Sequence, residues 1–400
     1  MLYAAHATQR MMLKPLNLFA ETGQMALSPF SNHNMAASVM HAGFEMLNRA
    51  TRHYEKPNFD LDVTPEVIES RAFCDLLRFP CRQDLEDPQS FFVVAPLSGH
   101  NATLLRPTVD SLLDHGDVVI TDWVCGSRVP KKEGSFGLDD FVGYLTDFMR
   151  VLKAREPHRA FHAIGVCQPG PPLVTAVALQ CARGEVARPT GMTLISAPMD
   201  AGAAPTQVTK LANSYSAGWF KTNVIHPVPH GMPGAGRTVY PGFLQLMGFM
   251  SMDPDRHMEK HRNLFFDRIH GNHDAAEKTV AFYDEYLSVI DLDADIYLDS
   301  IQRVFQRREL VHGKATYRGK PVDPSGITDM GLQTIEGGND DICAPGQTHA
   351  AHDILPGIPA HRRDHHVEPE AGHYGGFAGR RFDANILPRI VEFARRNRPA

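Results

Sequence analysis

From about residue 91 the apolar positions fall in short unbroken runs: "FFVVAP" (91–96), "DVVITDW" (117–123), "AFHAIGVC" (160–167) and "GMTLISAPM" (191–199). Runs of this length, rich in Val, Ile and Phe and without polar alternation, predict strands covered on both faces. Between them, segments 103–115, 138–154 and 172–182 are amphipathic and long enough to be crossover helices. The alternation predicts βαβ units and a parallel sheet.

After Pro198 this rhythm gives way to the Pro/Gly/Met-rich stretch "HPVPHGMPGAGRTVYPGFLQLMGFMSMDPDRH", followed by helical sequence to about residue 304. The strand signature returns in "GLQTIEGGNDDICAP" (331–345) and "HHVEPEAGHYGGF" (365–377), and a closing helix is predicted over 385–396. A sheet that resumes after such a detour implies an inserted segment. The expected organisation is a mainly helical N-terminal extension over 1–90, a core over 91–200 and 305–400, and a cap or lid over 201–304.

The composition, 43% hydrophobic and 22% charged over 400 residues, is that of a globular chain with a full core. A formal net charge of −6 offers no general attraction to nucleic acid or to an anionic membrane. The six cysteines show no CxxC pair and no disulfide-like spacing, which fits a reducing compartment. No apolar stretch approaches the ~18 residues that span a bilayer, and the first residues lack a secretory h-region. The expected location is therefore cytoplasmic.

Chemistry concentrates where predicted strands end. In "HAIGVCQPG" (162–170), Cys167 closes one strand and precedes a helix, the setting of a nucleophile elbow. A thiol there sits at the positive end of the helix dipole, an arrangement that activates cysteines. An isolated cysteine is more often a buried core residue, but of the six only Cys167 has this context. His373, in "GHYGG" after the last predicted strand, is the candidate base. Asp340, in "EGGNDDICAP", is the candidate acid, with Asp341 as a rival and an ordinary Asx turn as the simpler explanation. Nucleophile, acid, histidine is the chain order of α/β-hydrolases. Oxyanion donors are expected from the Gln168 N–H and from the loop holding Ser98 and Gly99. The Met/Phe-rich "YPGFLQLMGFMSM" (240–252) is expected to pack within the cap or to touch a hydrophobic substrate through Phe243, Met247, Phe249 and Met250. His270, His273 and Asp274, and likewise His349, His352 and Asp353, match no metal motif, so no metal and no cofactor is expected.

The motifs "VCQPG" (166–170), "EGGNDDICAPGQT" (336–348) and "EPEAGHYGGFAGRRF" (368–382) resemble those of the intracellular polyhydroxyalkanoate (polyhydroxybutyrate) depolymerases. The likeness extends less specifically through most of the chain after residue 90. It implies an α/β-hydrolase fold, a mainly parallel sheet flanked by helices, with Cys167, Asp340 and His373 as a cysteine triad. Pro169 departs from the general elbow, which has glycine there; the related polymer synthases are expected to show G-x-C-x-G-G.

The resemblance implies ester cleavage of poly(3-hydroxybutyrate) through a thioester, with water or coenzyme A as acceptor, on a polymer chain or granule. A synthase-like acyltransferase and a non-catalytic granule-binding protein are the alternatives. Neither a nucleic acid nor a transmembrane span enters this reading, and a homo-oligomer is compatible with it.

Overall fold

Each of the four apolar runs becomes a central strand of one eight-stranded sheet. The computed structural model describes residues 2–31, 33–86 and 88–398. The strands are β1 (Glu66–Arg71), β2 (Cys74–Phe79), β3 (Gln89–Val94), β4 (Gly116–Trp123), β5 (His162–Val166), β6 (Gly191–Ile195), β7 (Gly331–Gly337) and β8 (Arg363–Glu368). Their spatial order is β1-β2-β4-β3-β5-β6-β7-β8. All neighbours from β4 to β8 run parallel, whereas β1 and β2 pair antiparallel with each other and β2 pairs antiparallel with β4. Every residue of β3, β4, β5, β6 and β7 is buried, as unbroken apolar runs require when helices cover both faces. The architecture is a mainly parallel α/β-hydrolase sheet.

The N-terminal segment departs from the expected helical extension. It is helical in α1 (Leu2–Ser31) and α2 (Met35–Thr51), but β1 and β2 follow before residue 90 and belong to the main sheet. β1, "EVIESR", is a half-exposed edge strand carrying charge, so it shows no apolar run to read. Asn34 caps α2 by accepting from the Ala36 and Ala37 N–H groups.

Crossover segments lie close to their predicted places. The first starts as a single turn, Ala102–Leu105, and continues as α3 (Arg106–Leu112), where Pro107 takes an early helical position that needs no N–H partner. α4 (Leu138–Arg155) and α5 (Gly170–Ala182) follow β4 and β5.

The detour between β6 and β7 contains α6 (Gln207–Ser214), α7 (Ala217–Asn223), α8 (Gly242–Met252), α9 (Pro254–His270) and α10 (His273–Tyr286). A small antiparallel sheet of His226–Pro227, Thr238–Tyr240 and Leu292–Asp293 braces it. Arg237 fastens this sheet to the loop after β4: it pairs with Asp293 at 2.6 Å and donates to the carbonyls of Val129, Pro130 and Gly134. Both charges are buried, and the carbonyls take up the remaining guanidinium donors, as a buried pair demands. On the other side, Arg268 of α9 pairs with Glu45 of α2, and the Tyr3 hydroxyl donates to Asp291.

Candidate active site

A sharp backbone turn begins the site. Cys167 follows β5 with φ +64°, a conformation that costs a non-glycine residue energy and persists only where its surroundings enforce it. Here the Cys167 N–H donates to the Ile195 carbonyl of β6 at 2.8 Å, and the Cys167 carbonyl accepts from Gly170 N–H at 3.2 Å. Gly170 is required sterically, because a Cβ at that position would lie 2.6 Å from the Ala197 Cβ. Pro169, in the right-handed helical region at φ −63°, fits the turn into α5 that the general motif makes with glycine. The sulfur is thereby raised above the carboxyl edge of the sheet, half-buried.

Asp340 follows β7, and its two oxygens have separate tasks. Oδ1 accepts from the Ile342 and Cys343 N–H groups, forming an Asx turn, while Oδ2 meets His373 Nδ1 at 2.8 Å. The turn and the contact to the His373 ring therefore coexist in one residue. Asp341 is exposed and outside this contact. His373 lies in a short turn after β8, 7% exposed. Burial opposes its charged form, but Cys167 and Asp340, through charge and hydrogen bonds, outweigh burial and hold the ring well above the ordinary histidine value. Cys167, Asp340 and His373, spread over 207 positions of sequence, thus form one connected cluster.

This cluster opens into a cavity of about 600 Å3 with a mostly apolar lining. Leu211, Phe220, Tyr297 and Phe305 wall it from the cap side, and Leu104, Pro198 and Phe377 from the core. Ser98 and Gln168 line it as well. The Gln168 side-chain oxygen accepts from Leu97 N–H at 3.3 Å, tying the elbow to the loop after β3. Gly99 adopts φ +107°, its carbonyl accepts from Ile290 N–H, and a Cβ on it would fall 2.2 Å from the Gln245 amide of α8. Only glycine fits there. Cys343 also belongs to the lining as an almost wholly buried thiol, which burial and then Asp340 push well up, the setting of an unreactive thiol.

The four cap residues expected at the substrate divide between two faces of α8. Phe249 lines the cavity with Gln245 and Met252. Phe243, Met247 and Met250 line a separate cavity of about 1400 Å3 between α8, α9 and the N-terminal helices. A helix with apolar residues on every face carries little periodicity that tells one face from the other. Two polar residues to which sequence reading assigned no role of their own, His100 in the loop after β3 and Gln245 in α8, both line the cavity beside Cys167 and are buried. Gln245 is the lone polar side chain in the middle of "GFLQLMGFM", the one signal that could have marked it.

Among the described residues no group of three or more His, Cys, Asp or Glu is arranged to hold a metal ion, and no helix is long and apolar enough to cross a membrane.

Comparison of the fold with solved structures finds a soluble variant of monoglyceride lipase from Saccharomyces cerevisiae, in complex with a substrate analogue, at TM-score 0.50 and 10% identity, covering 86% of this chain and 99% of that one. A thermophilic esterase from Thermogutta terrifontis, with malate bound, aligns at TM-score 0.43 and 13% identity, covering 82% of this chain and 95% of that one. At such identities the lipase likeness speaks to fold alone. Comparison with curated proteins finds no match. A family model described as "PHB de-polymerase C-terminus" matches residues 196–398, more than half of the chain, including Asp340, His373 and the whole cap. Since the model and the hydrolase fold point the same way, this chain belongs to the PHB depolymerase family and is a carboxylic ester hydrolase.

Proposed function

We propose that the protein is a depolymerase of poly(3-hydroxyalkanoate), with poly(3-hydroxybutyrate) as the first candidate, working through Cys167, His373 and Asp340. Cys167 Sγ, its proton held by His373, attacks the ester carbonyl. The tetrahedral intermediate collapses, the C–O bond breaks, and His373 returns that proton to the leaving alkoxide. A 3-hydroxyacyl thioester remains on Cys167. Water, deprotonated by His373, then attacks the thioester; the C–S bond breaks, the thiol regains a proton and the acid is released. Asp340 fixes the ring so that Nε2 faces the sulfur and stabilises the imidazolium. The Gln168 N–H and the loop through Ser98 and Gly99 are assigned to the oxyanion.

The observation that carries this reading is the 2.8 Å His373–Asp340 contact beside a strained elbow cysteine, at the floor of an apolar cavity. The apolar lining suits a polyester, whose repeat presents methyl and methylene groups with carbonyl and ether oxygens. The cap, read as the segment between β6 and β7 rather than 201–304 alone, supplies one wall. Association with a granule surface has support in α1, where Met12, Phe19 and Phe30 stand more than half exposed on one long helix.

The test is release of 3-hydroxybutyrate or its oligomers from amorphous poly(3-hydroxybutyrate), wild type beside Cys167→Ala, with and without coenzyme A. Release by the wild type alone supports the thiol mechanism, and appearance of 3-hydroxybutyryl-CoA identifies coenzyme A as acceptor. Full release by Cys167→Ala, or polymer growth from 3-hydroxybutyryl-CoA in place of release, overturns it.

A further inference from the structure

The polar groups around Cys167 and His373 fall into two kinds. Those of the elbow and of Asp340 are hydrogen-bonded. Two others, His100 Nε2 and Gln245 Oε1, are buried without a partner, on residues only 3% and 7% exposed that both line the cavity. A buried polar atom left without a partner costs stability, so two at one place call for an explanation in function.

The two residues are neighbours across the junction of cap and core. The Gln245 amide rests against Gly99, the residue before His100. One turn further along α8, Phe249 faces the His100 ring at 5.8 Å between centroids. His100 is also near enough to His373 for its charge to be felt.

The protonation of His100 follows from its surroundings. Burial comes first and lowers it to about 4, with only the hydrogen bond to the Tyr286 main chain acting in the opposite sense, so the ring is neutral. With Nε2 unpartnered, we assign the ring proton to Nδ1, toward the Tyr286 main chain. Nε2 is left as a bare lone pair, and Gln245 Oε1 is a second acceptor.

Two acceptors in an apolar cavity select a donor. The interior repeat of a poly(3-hydroxyalkanoate) has none, since its carbonyl and ether oxygens only accept. A carboxylate end likewise brings acceptors alone. The hydroxyl end alone offers an O–H, and in the terminal unit that hydroxyl sits two carbons from the ester carbonyl that would be attacked. We propose that His100 Nε2 and Gln245 Oε1 form a subsite that accepts a hydrogen bond from the free hydroxyl end of a 3-hydroxyalkanoate chain, so that cleavage proceeds from that end. The inference rests on the depolymerase reading and makes the enzyme an end-recognising one, with the terminal 3-hydroxyacyl unit transferred to Cys167.

Two linear trimers of 3-hydroxybutyrate test it, one with a free hydroxyl end and one with that hydroxyl methylated, which removes the donor without adding an ester. The wild type is expected to cleave the free-ended trimer with kcat/KM at least about tenfold higher, as for other buried hydroxyl contacts. His100→Phe and Gln245→Leu are each expected to move the ratio toward one, with the loss appearing mainly in KM. Independently of turnover, Cys167→Ala is expected to bind the free-ended trimer about tenfold more tightly by calorimetry. Equal binding of the two trimers by Cys167→Ala overturns the subsite even where the wild type is an active depolymerase. Preferential binding together with full cleavage by Cys167→Ala overturns the thiol mechanism and leaves the subsite standing.

Discussion

The carboxyl edge of the sheet and the cap wall opposite it enclose the same cavity, yet they are built on opposite terms. At the sheet edge, Cys167 is held by bonds from its own N–H and carbonyl, and both Asp340 oxygens are engaged before any substrate arrives. On the cap side, α8 is apolar along nearly all its length, but among its residues only Gly242 and Gln245 are buried. Its apolar side chains are half-covered, or exposed in the case of Met247, and the side-chain oxygen of its buried Gln245 lacks a partner. An ordinary surface helix buries apolar groups and exposes polar ones. The contrast is one of finish: the side chains at the sheet edge are held by hydrogen bonds within the protein, whereas the buried polar atoms of the wall have no partner of their own.

The comparison predicts where substitutions hurt, in descending order. Cys167→Ala is expected to lower turnover of a soluble ester by about 10^4-fold or more, measured by single-turnover release, with folding intact by circular dichroism. Retention of turnover would remove the sheet edge from the chemistry. Asp340→Asn keeps the shape but lets the ring take the wrong tautomer, with an expected loss of about 10^3- to 10^4-fold in kcat.

That variant has a second signature, in stability. His373 is held above its ordinary value of about 6.5, so its stabilisation is fully present below that pH and is lost as pH rises through the raised value. In urea titrations the deficit of Asp340→Asn against wild type is expected to be largest near about pH 6 and to narrow toward alkaline pH. A deficit that widens instead would contradict the ion-pair origin.

Phe249→Ala opens the cap wall at the cavity and is expected to lower kcat/KM by about tenfold, whereas Met247→Ala on the opposite face is expected to change it less than about twofold. Equal effects would erase the distinction between the two faces of α8. The smallest effect belongs to α1: replacing Met12, Phe19 and Phe30 together by Ser is expected to weaken sedimentation with polymer granules a few-fold, with unchanged turnover of a soluble ester. Unchanged sedimentation would separate α1 from granule contact.

Much of this arrangement was legible in the chain. The central strands announce themselves because strands covered on both faces need apolar side chains at consecutive positions. β1 was invisible for the complementary reason: at a sheet edge, half-exposed Glu, Ser and Arg satisfy the backbone pattern without an apolar run. The order Cys167, Asp340, His373 could be read because each follows a recognisable strand, and parallel strands deliver their carboxyl ends to one edge. Asp340 is preferred to Asp341 from its place in "EGGNDDICAP", although either can open an Asx turn; in the fold it is the Asp340 carboxylate that meets His373.

The sequence by itself determined the parallel sheet, the elbow at its edge and the three residues able to meet there, because those depend on local periodicity and on the ends of strands. Only the tertiary structure decided which face of α8 meets the cavity, that Phe249 lies there while Phe243, Met247 and Met250 do not, and that His100 and Gln245 are buried side by side without partners. Contacts between segments 146 residues apart, such as Gly99 against Gln245, come from how cap and core pack together. A uniformly apolar helix satisfies either packing equally well, so its own sequence cannot choose between them.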